Sequence, residues 1–136
     1  MSELTDSCNR FYQLNELHAQ RERDLDNMVL AAPHYNGETV ITEIDAIISY
    51  YREAQAAKTE LEETYIQMKN AQSDILTFME HFGIPAGIKL SGAIPEELEY
   101  EIWADDDNNL QTRKTKNLAA DDNPNMITIK FSNGGN

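Results

Sequence analysis

Seven carboxylates, Glu96, Glu97, Glu99, Glu101, Asp105, Asp106 and Asp107, occupy a stretch of twelve residues with no intervening base. Arg113, Lys114 and Lys116 follow it. Such a run can pair with the bases across a hairpin, offer an acidic surface to a basic protein, or hold a cation. Asp105, Asp107 and Asn109 match the first three ligand positions of a calcium loop. Leu110 then stands where the loop needs glycine, and Lys116 where it needs a bidentate glutamate. A polar turn is therefore expected at 105–109, with acidic and basic strands facing each other and fixing register. Carboxylates held on a folded surface could also imitate the phosphates of a nucleic acid.

The remaining side chains with reactive chemistry are scattered. His18, His34 and His81 form no HExxH pattern and stand near no cysteine pair, so no metal or other cofactor is expected. His81 suits the negative end of a helix. Cys8 lacks a histidine neighbour and reads as a small buried residue. No serine lies in a G-x-S-x-G turn, and Gly83-x-x-x-Gly87 lacks the lysine of a phosphate loop. The expectation is a protein that is not an enzyme. Two sets could hold a small anionic or flat ligand: Tyr51, Lys58 and Tyr65, spaced by heptads, or Arg113, Lys114 and Lys116.

The chain has 136 residues and a net charge of −13, spread along its whole length. That charge argues against direct contact with a nucleic-acid backbone or an anionic membrane, each of which needs a basic patch. No apolar run approaches the roughly 20 residues that cross a bilayer. The start, MSELTDSCNR, lacks a secretory pattern, and the single cysteine suits a reducing compartment. A cytoplasmic location is expected, in a bacterial or phage-infected cell.

The element that must carry these groups is the stretch from Thr39 to Phe82. Alternating steps of three and four residues give Val40, Ile44, Ile47, Tyr51, Ala54, Lys58, Leu61, Tyr65, Met68, Gln72, Ile75, Met79 and Phe82. All but Lys58 and Gln72 are apolar or aromatic, and no Pro or Gly interrupts. This is a helix with a slowly drifting seam, about 65 Å long. Thr39 is its expected N-cap, while Gly83, Ile84 and Pro85 end it. A first helix spans about 2–31, with Ser2 as N-cap and Glu3 in the positive first turn. Pro33 stops it, and the turn 33–38 folds the two helices into an antiparallel hairpin. In a simple hairpin the shorter helix covers the longer one only from Val40 to about Met68. Ile75, Met79 and Phe82 then need shelter from the C-terminal region or from a second copy.

Beyond Pro85 the period falls to two. Strands are predicted at Leu98–Trp103, Leu110–Lys116 and Met126–Phe131, with Gly87–Leu90 as a short edge and 117–125 as a loop. The expected fold is α+β and mainly α: a helical hairpin over 1–82 with one long coiled-coil-like helix, then a small antiparallel β-meander over 83–136 packed on the helix end. The expected function is a homo-oligomeric protein–protein interaction module, a dimer or larger. Its seam would run through Tyr51, Lys58, Leu61, Tyr65, Met68, Gln72, Ile75, Met79 and Phe82, and its acidic region would meet another, basic protein. A short helix, a long helix and a β tail recur in phage and bacterial accessory proteins, some of them inhibitors of host defence. One alternative is therefore an inhibitor whose acidic surface mimics nucleic acid. Another is a sponge for a nucleotide-like signal at a subunit interface.

Overall fold

A computed structural model describes residues 2–33 and 41–121. In chain order the elements are α1 (Ser2–Leu30), α2 (Ile41–His81), β1 (Leu90–Ile94), β2 (Leu98–Ala104), β3 (Leu110–Asn117) and the short α3 (Leu118–Asp121). Two long helices pair in antiparallel fashion, and the three strands form one antiparallel sheet in the order β1-β2-β3. The expected α+β, mainly helical architecture holds. Thr39, His34, the turn 34–38 and the strand predicted at Met126–Phe131 lie outside the described residues.

The stop of α2 follows the expectation from Gly83. Gly83 takes φ +69°, in the left-handed region that suits glycine. Its N–H donates to the Glu80 carbonyl at 3.1 Å, and the Ile84 N–H donates to the Met79 carbonyl at 2.8 Å. This pair of bonds caps the last helical carbonyls as a Schellman motif.

The described residues divide into two compact units. One holds residues 2–10 and 71–121; the other holds 11–33 and 41–70. The division cuts across both long helices, so the first turns of α1 and the last turns of α2 belong with the strands. Two long-range hydrogen bonds explain that grouping. The Tyr100 hydroxyl donates to Asn9 Oδ1 at 2.6 Å, and the Leu110 N–H donates to Gln72 Oε1 at 3.1 Å.

In the unit containing the strands, Leu4, Cys8, Ala71, Ile75, Met79, Ile94, Tyr100, Ile102, Ala104 and Leu110 are buried. β2 alternates as its sequence requires: Tyr100, Ile102 and Ala104 face the core, while Glu99, Glu101 and Trp103 are more open. Gly92 pairs with Tyr100 across β1 and β2. A Cβ there would lie 2.3 Å from the Tyr100 ring, so the ring packs directly on the bare backbone. The edge strand runs from Leu90 to Ile94 rather than from Gly87 to Leu90. Gly87 instead has φ +88° and its N–H donates to the Ala104 carbonyl, which bends the chain before the strand begins. The loop expected at 117–125 is also corrected at its start. β3 continues to Asn117, and α3 follows at once, with the Ala119 N–H bonded to the Glu97 carbonyl.

In the helical unit, Arg21 Nη1 donates to Thr64 Oγ1, Thr64 Oγ1 donates to the Glu60 carbonyl at 2.8 Å, and the Tyr50 hydroxyl donates to the Met28 carbonyl at 2.6 Å. Residue numbers rise on α1 as they fall on α2, which is the antiparallel sense. These bonds set the register: Met28 stands opposite Tyr50, ten residues later on α2 than the expected start at Val40. The strand-bearing unit agrees, since Glu3 and Ser7 stand beside Asp74 and Phe78. Phe11, Tyr12, Ala32 and Thr64 are buried in the helical unit.

Candidate interaction surface

A straight α-helix turns about 100° per residue, so a strict seven-residue repeat slips backwards by roughly 20° each time. The seam read from the sequence therefore wanders around α2. At its beginning Tyr51, Lys58 and Tyr65 are exposed; at its end Ile75 and Met79 are buried. Leu61 and Met68 are half-buried between them. Gln72, expected as a polar residue in an oligomer seam, receives the Leu110 N–H and so ties α2 to the start of β3. Phe82 is half exposed, with its ring stacked on Phe78 and against His81.

The 3.6-residue period groups α2 differently. Ile48 and Ile66 are 18 residues apart, five full turns, and share one face with Tyr51 and Tyr65. These four side chains are 44 %, 59 %, 47 % and 46 % exposed in the order Ile48, Ile66, Tyr51, Tyr65. Tyr65 lies nearest the buried face through Ala57, Thr64 and Met68, and the stripe runs from there round to Ile48 and Ile66 on the far side of the helix. Single exposed apolar residues are ordinary on a protein surface; four on one helical face are not scattered. The seam reading missed Ile48 and Ile66 because a 3.5-residue step passes them by.

Each aromatic residue of the stripe has a partner on α1, on the segment just after it, or on its own helix. The Tyr51 hydroxyl donates to the Pro33 carbonyl at 3.3 Å. The Tyr65 ring lies 5.7 Å from His18 and has Lys69 Nζ 5.6 Å from its centroid. In the middle of the stripe, Lys58 Nζ and Glu62 form an i,i+4 ion pair at 3.9 Å. Tyr51, Lys58 and Tyr65 are each about 10 Å from the next along the axis, too far apart to enclose one flat ligand within a chain.

The acidic run is divided by the sheet. Glu101 is ion-paired with Arg113 at 2.5 Å, and Glu99 is in register with Lys116. A bulge next to Glu99 and Tyr100 inserts Thr115, so Lys114 pairs with Tyr100, on the opposite face from Arg113 and Lys116. The three bases thus do not form one cluster. Lys89 Nζ lies 5.2 Å from the Trp103 ring, adding another positive charge beside β2. Asp105 serves the turn: its Oδ1 accepts the N–H groups of Asp107 and Asn109, and its Oδ2 accepts from Gln111. Those bonds, that of Asn109 first, hold its carboxyl below its ordinary pKa. Glu96 (φ +67°) and Glu97 sit in the turn at one end of β2, while Asp106 and Asp107 are exposed at the other, about 20 Å away.

Burial pushes the Cys8 thiol up to about 11, away from the reactive thiolate form. Burial, then the nearby Glu16 charge, raises Tyr12. Leu4, Cys8, Gly92, Tyr100 and Ile102 line a small apolar cleft. Two broader depressions are rimmed by carboxylates, Glu3, Asp6 and Asp74 at one and Glu99 and Glu101 at the other, a poor setting for an anionic ligand. Among the described residues, no three His, Cys, Asp or Glu side chains converge as a metal set, and no helix is long and apolar enough to cross a membrane. No protein-family model, curated protein or solved structure matches the chain.

Proposed function

We propose that this chain is a non-enzymatic protein–protein interaction module that associates with further copies of itself through the outer stripe of α2. The supporting observation is the placement of Ile48, Tyr51, Tyr65 and Ile66 on one face, each about half open to water. Covering that surface is worth roughly 25 cal/mol for every Å² of apolar area removed from water. Ile75 and Met79 are already covered within a single chain, so a second copy would meet the first half of the seam rather than its end. The test is the mass in solution, measured by light scattering across a dilution series. A dimer or larger species that dissociates on dilution supports the reading; a compact monomer throughout the micromolar range ends it.

The carboxylates outside the cross-strand pairs, Glu96, Glu97, Asp106 and Asp107, would give each copy two acidic tips for a basic protein partner. Binding through them would weaken as salt is added, because exposed charges more than about 10 Å apart are screened at 0.1 M. Replacing all four by Asn or Gln should abolish a salt-sensitive complex. Unchanged binding would remove the acidic tips from this function.

A further inference from the structure

Read along the axis of α2, the exposed stripe is nearly the same in both directions. Ile48 and Tyr51 stand at one end, Tyr65 and Ile66 at the other, and polar Gln55, Lys58 and Glu62 fill the middle. The midpoint of Ile48 and Ile66 is residue 57, and that of Tyr51 and Tyr65 is residue 58. We infer that two copies pack α2 against α2 in antiparallel fashion, about a two-fold axis passing between residues 57 and 58. This inference rests on the self-association proposed above and specifies its geometry.

Charge chooses the direction. In a parallel, in-register pair the two-fold axis runs along the helices and sends each flank to the opposite one, so Arg52 and Glu63 would be kept apart, while Lys69, inside the stripe, would come close to its own copy. With the two-fold axis between 57 and 58, Arg52 instead comes level with Glu63 of the other copy, twice in the dimer. Arg52 and Glu63 are both exposed and lie about 20° apart around the helix, on one flank of the stripe. A two-fold axis perpendicular to both helices brings like flank to like flank, so the two side chains meet. At the centre, each Lys58 is already paired with Glu62 of its own helix, which limits repulsion between the two lysines. Ile48 meets Ile66 and Tyr51 meets Tyr65, giving each apolar side chain an apolar neighbour. The contact is isologous and closes at two copies.

Cysteine cross-linking tests this register. Cys8 is first replaced by Ala, and helicity is checked by circular dichroism. Lys58→Cys should link to its own copy under mild oxidation. Ile48→Cys alone should not, because its two copies lie about 28 Å apart along the axis. A mixture of Ile48→Cys and Ile66→Cys proteins should give the mixed dimer. If Cys8→Ala impairs folding, a photocrosslinking residue at positions 48, 58 and 66 in the otherwise native chain replaces the cysteines. On the charged flank, Arg52→Glu should weaken dimerisation on the order of tenfold, and adding Glu63→Arg should restore it, a difference of about 1.4 kcal/mol.

The outcomes separate the two claims. A monomer at all concentrations removes self-association and this geometry together. A dimer that links Ile48→Cys to itself, or fails to link Lys58→Cys, keeps self-association and overturns the antiparallel register. A dimer indifferent to Arg52→Glu overturns the flank pairing that sets its direction.

Discussion

The strand-bearing unit and the helical unit use similar lengths of chain and reach very different degrees of burial. In the first, Ile75, Tyr100 and Ile102 are almost wholly withdrawn from water. In the second, Ile48, Tyr51, Tyr65 and Ile66 remain about half exposed, and Phe11, Tyr12, Ala32 and Thr64 carry the burial. The difference is architectural. A sheet laid on helix ends makes two layers that enclose side chains between them, whereas two helices side by side can hide only the stripe along their contact. The helix pair therefore leaves apolar side chains of α2 half in water outside the contact between its helices.

The largest expected contrast is between isoleucines in the two units. Ile75→Ala should lower stability by about 2–5 kcal/mol, by an amount independent of protein concentration in urea unfolding. Ile66→Ala should change the monomer by no more than about 0.5 kcal/mol, and instead reduce the dependence of Tm on protein concentration. Equal, concentration-independent losses would erase the distinction between the units.

Gly92→Ala sharpens the comparison from the strand side. The new methyl has to displace the Tyr100 ring from the β1–β2 pair, at a loss of about 1–3 kcal/mol by chemical denaturation. A neutral result would mean that the ring is not closely seated there.

Cys8 supplies a pH test of the same core. Its folded pKa, about 11, lies above the ordinary value of 9.0, so the buried thiol favours the folded state below pH 9. That contribution should fade as pH rises through 11, with a slope of at most about 1.4 kcal/mol per pH unit. Measured against Cys8→Ala, the native protein should lose relative stability only in this alkaline window. A constant difference between the two proteins across this alkaline window would mean that the thiol is not buried.

In the helical unit, Thr64→Val keeps the shape and removes the hydroxyl shared by Arg21 and the Glu60 carbonyl. The expected loss is about 1 kcal/mol. The smallest effect belongs to the β2–β3 turn. The Asp105 carboxyl should titrate by NMR below the ordinary aspartate range, so its stabilising contribution is present above that range and lost as pH falls through its folded pKa. An ordinary midpoint would show that its three hydrogen bonds do not persist in solution.

Local chemistry was legible wherever a side chain or backbone rule acts over a few residues. The Gly83-Ile84-Pro85 stop, the alternation of Tyr100 and Ile102 against Glu99 and Glu101, and the turn at Asp105 all belong to this class. The opposition of Glu101 and Arg113 followed from that turn. Register was less legible. A seven-residue reading joined Tyr51, Lys58 and Tyr65 to Ile75 and Met79 as one seam, because their order in sequence does not reveal how far a helix rotates between them. Tertiary packing alone decides that the later residues lie under the sheet while the earlier ones face outward. It also assigns Gln72 to the Leu110 N–H, a bond across 38 residues that no local pattern encodes. Secondary structure and its ends depend on near neighbours and can be read from their types; which face of a long helix becomes interior depends on surfaces contributed from elsewhere in the chain.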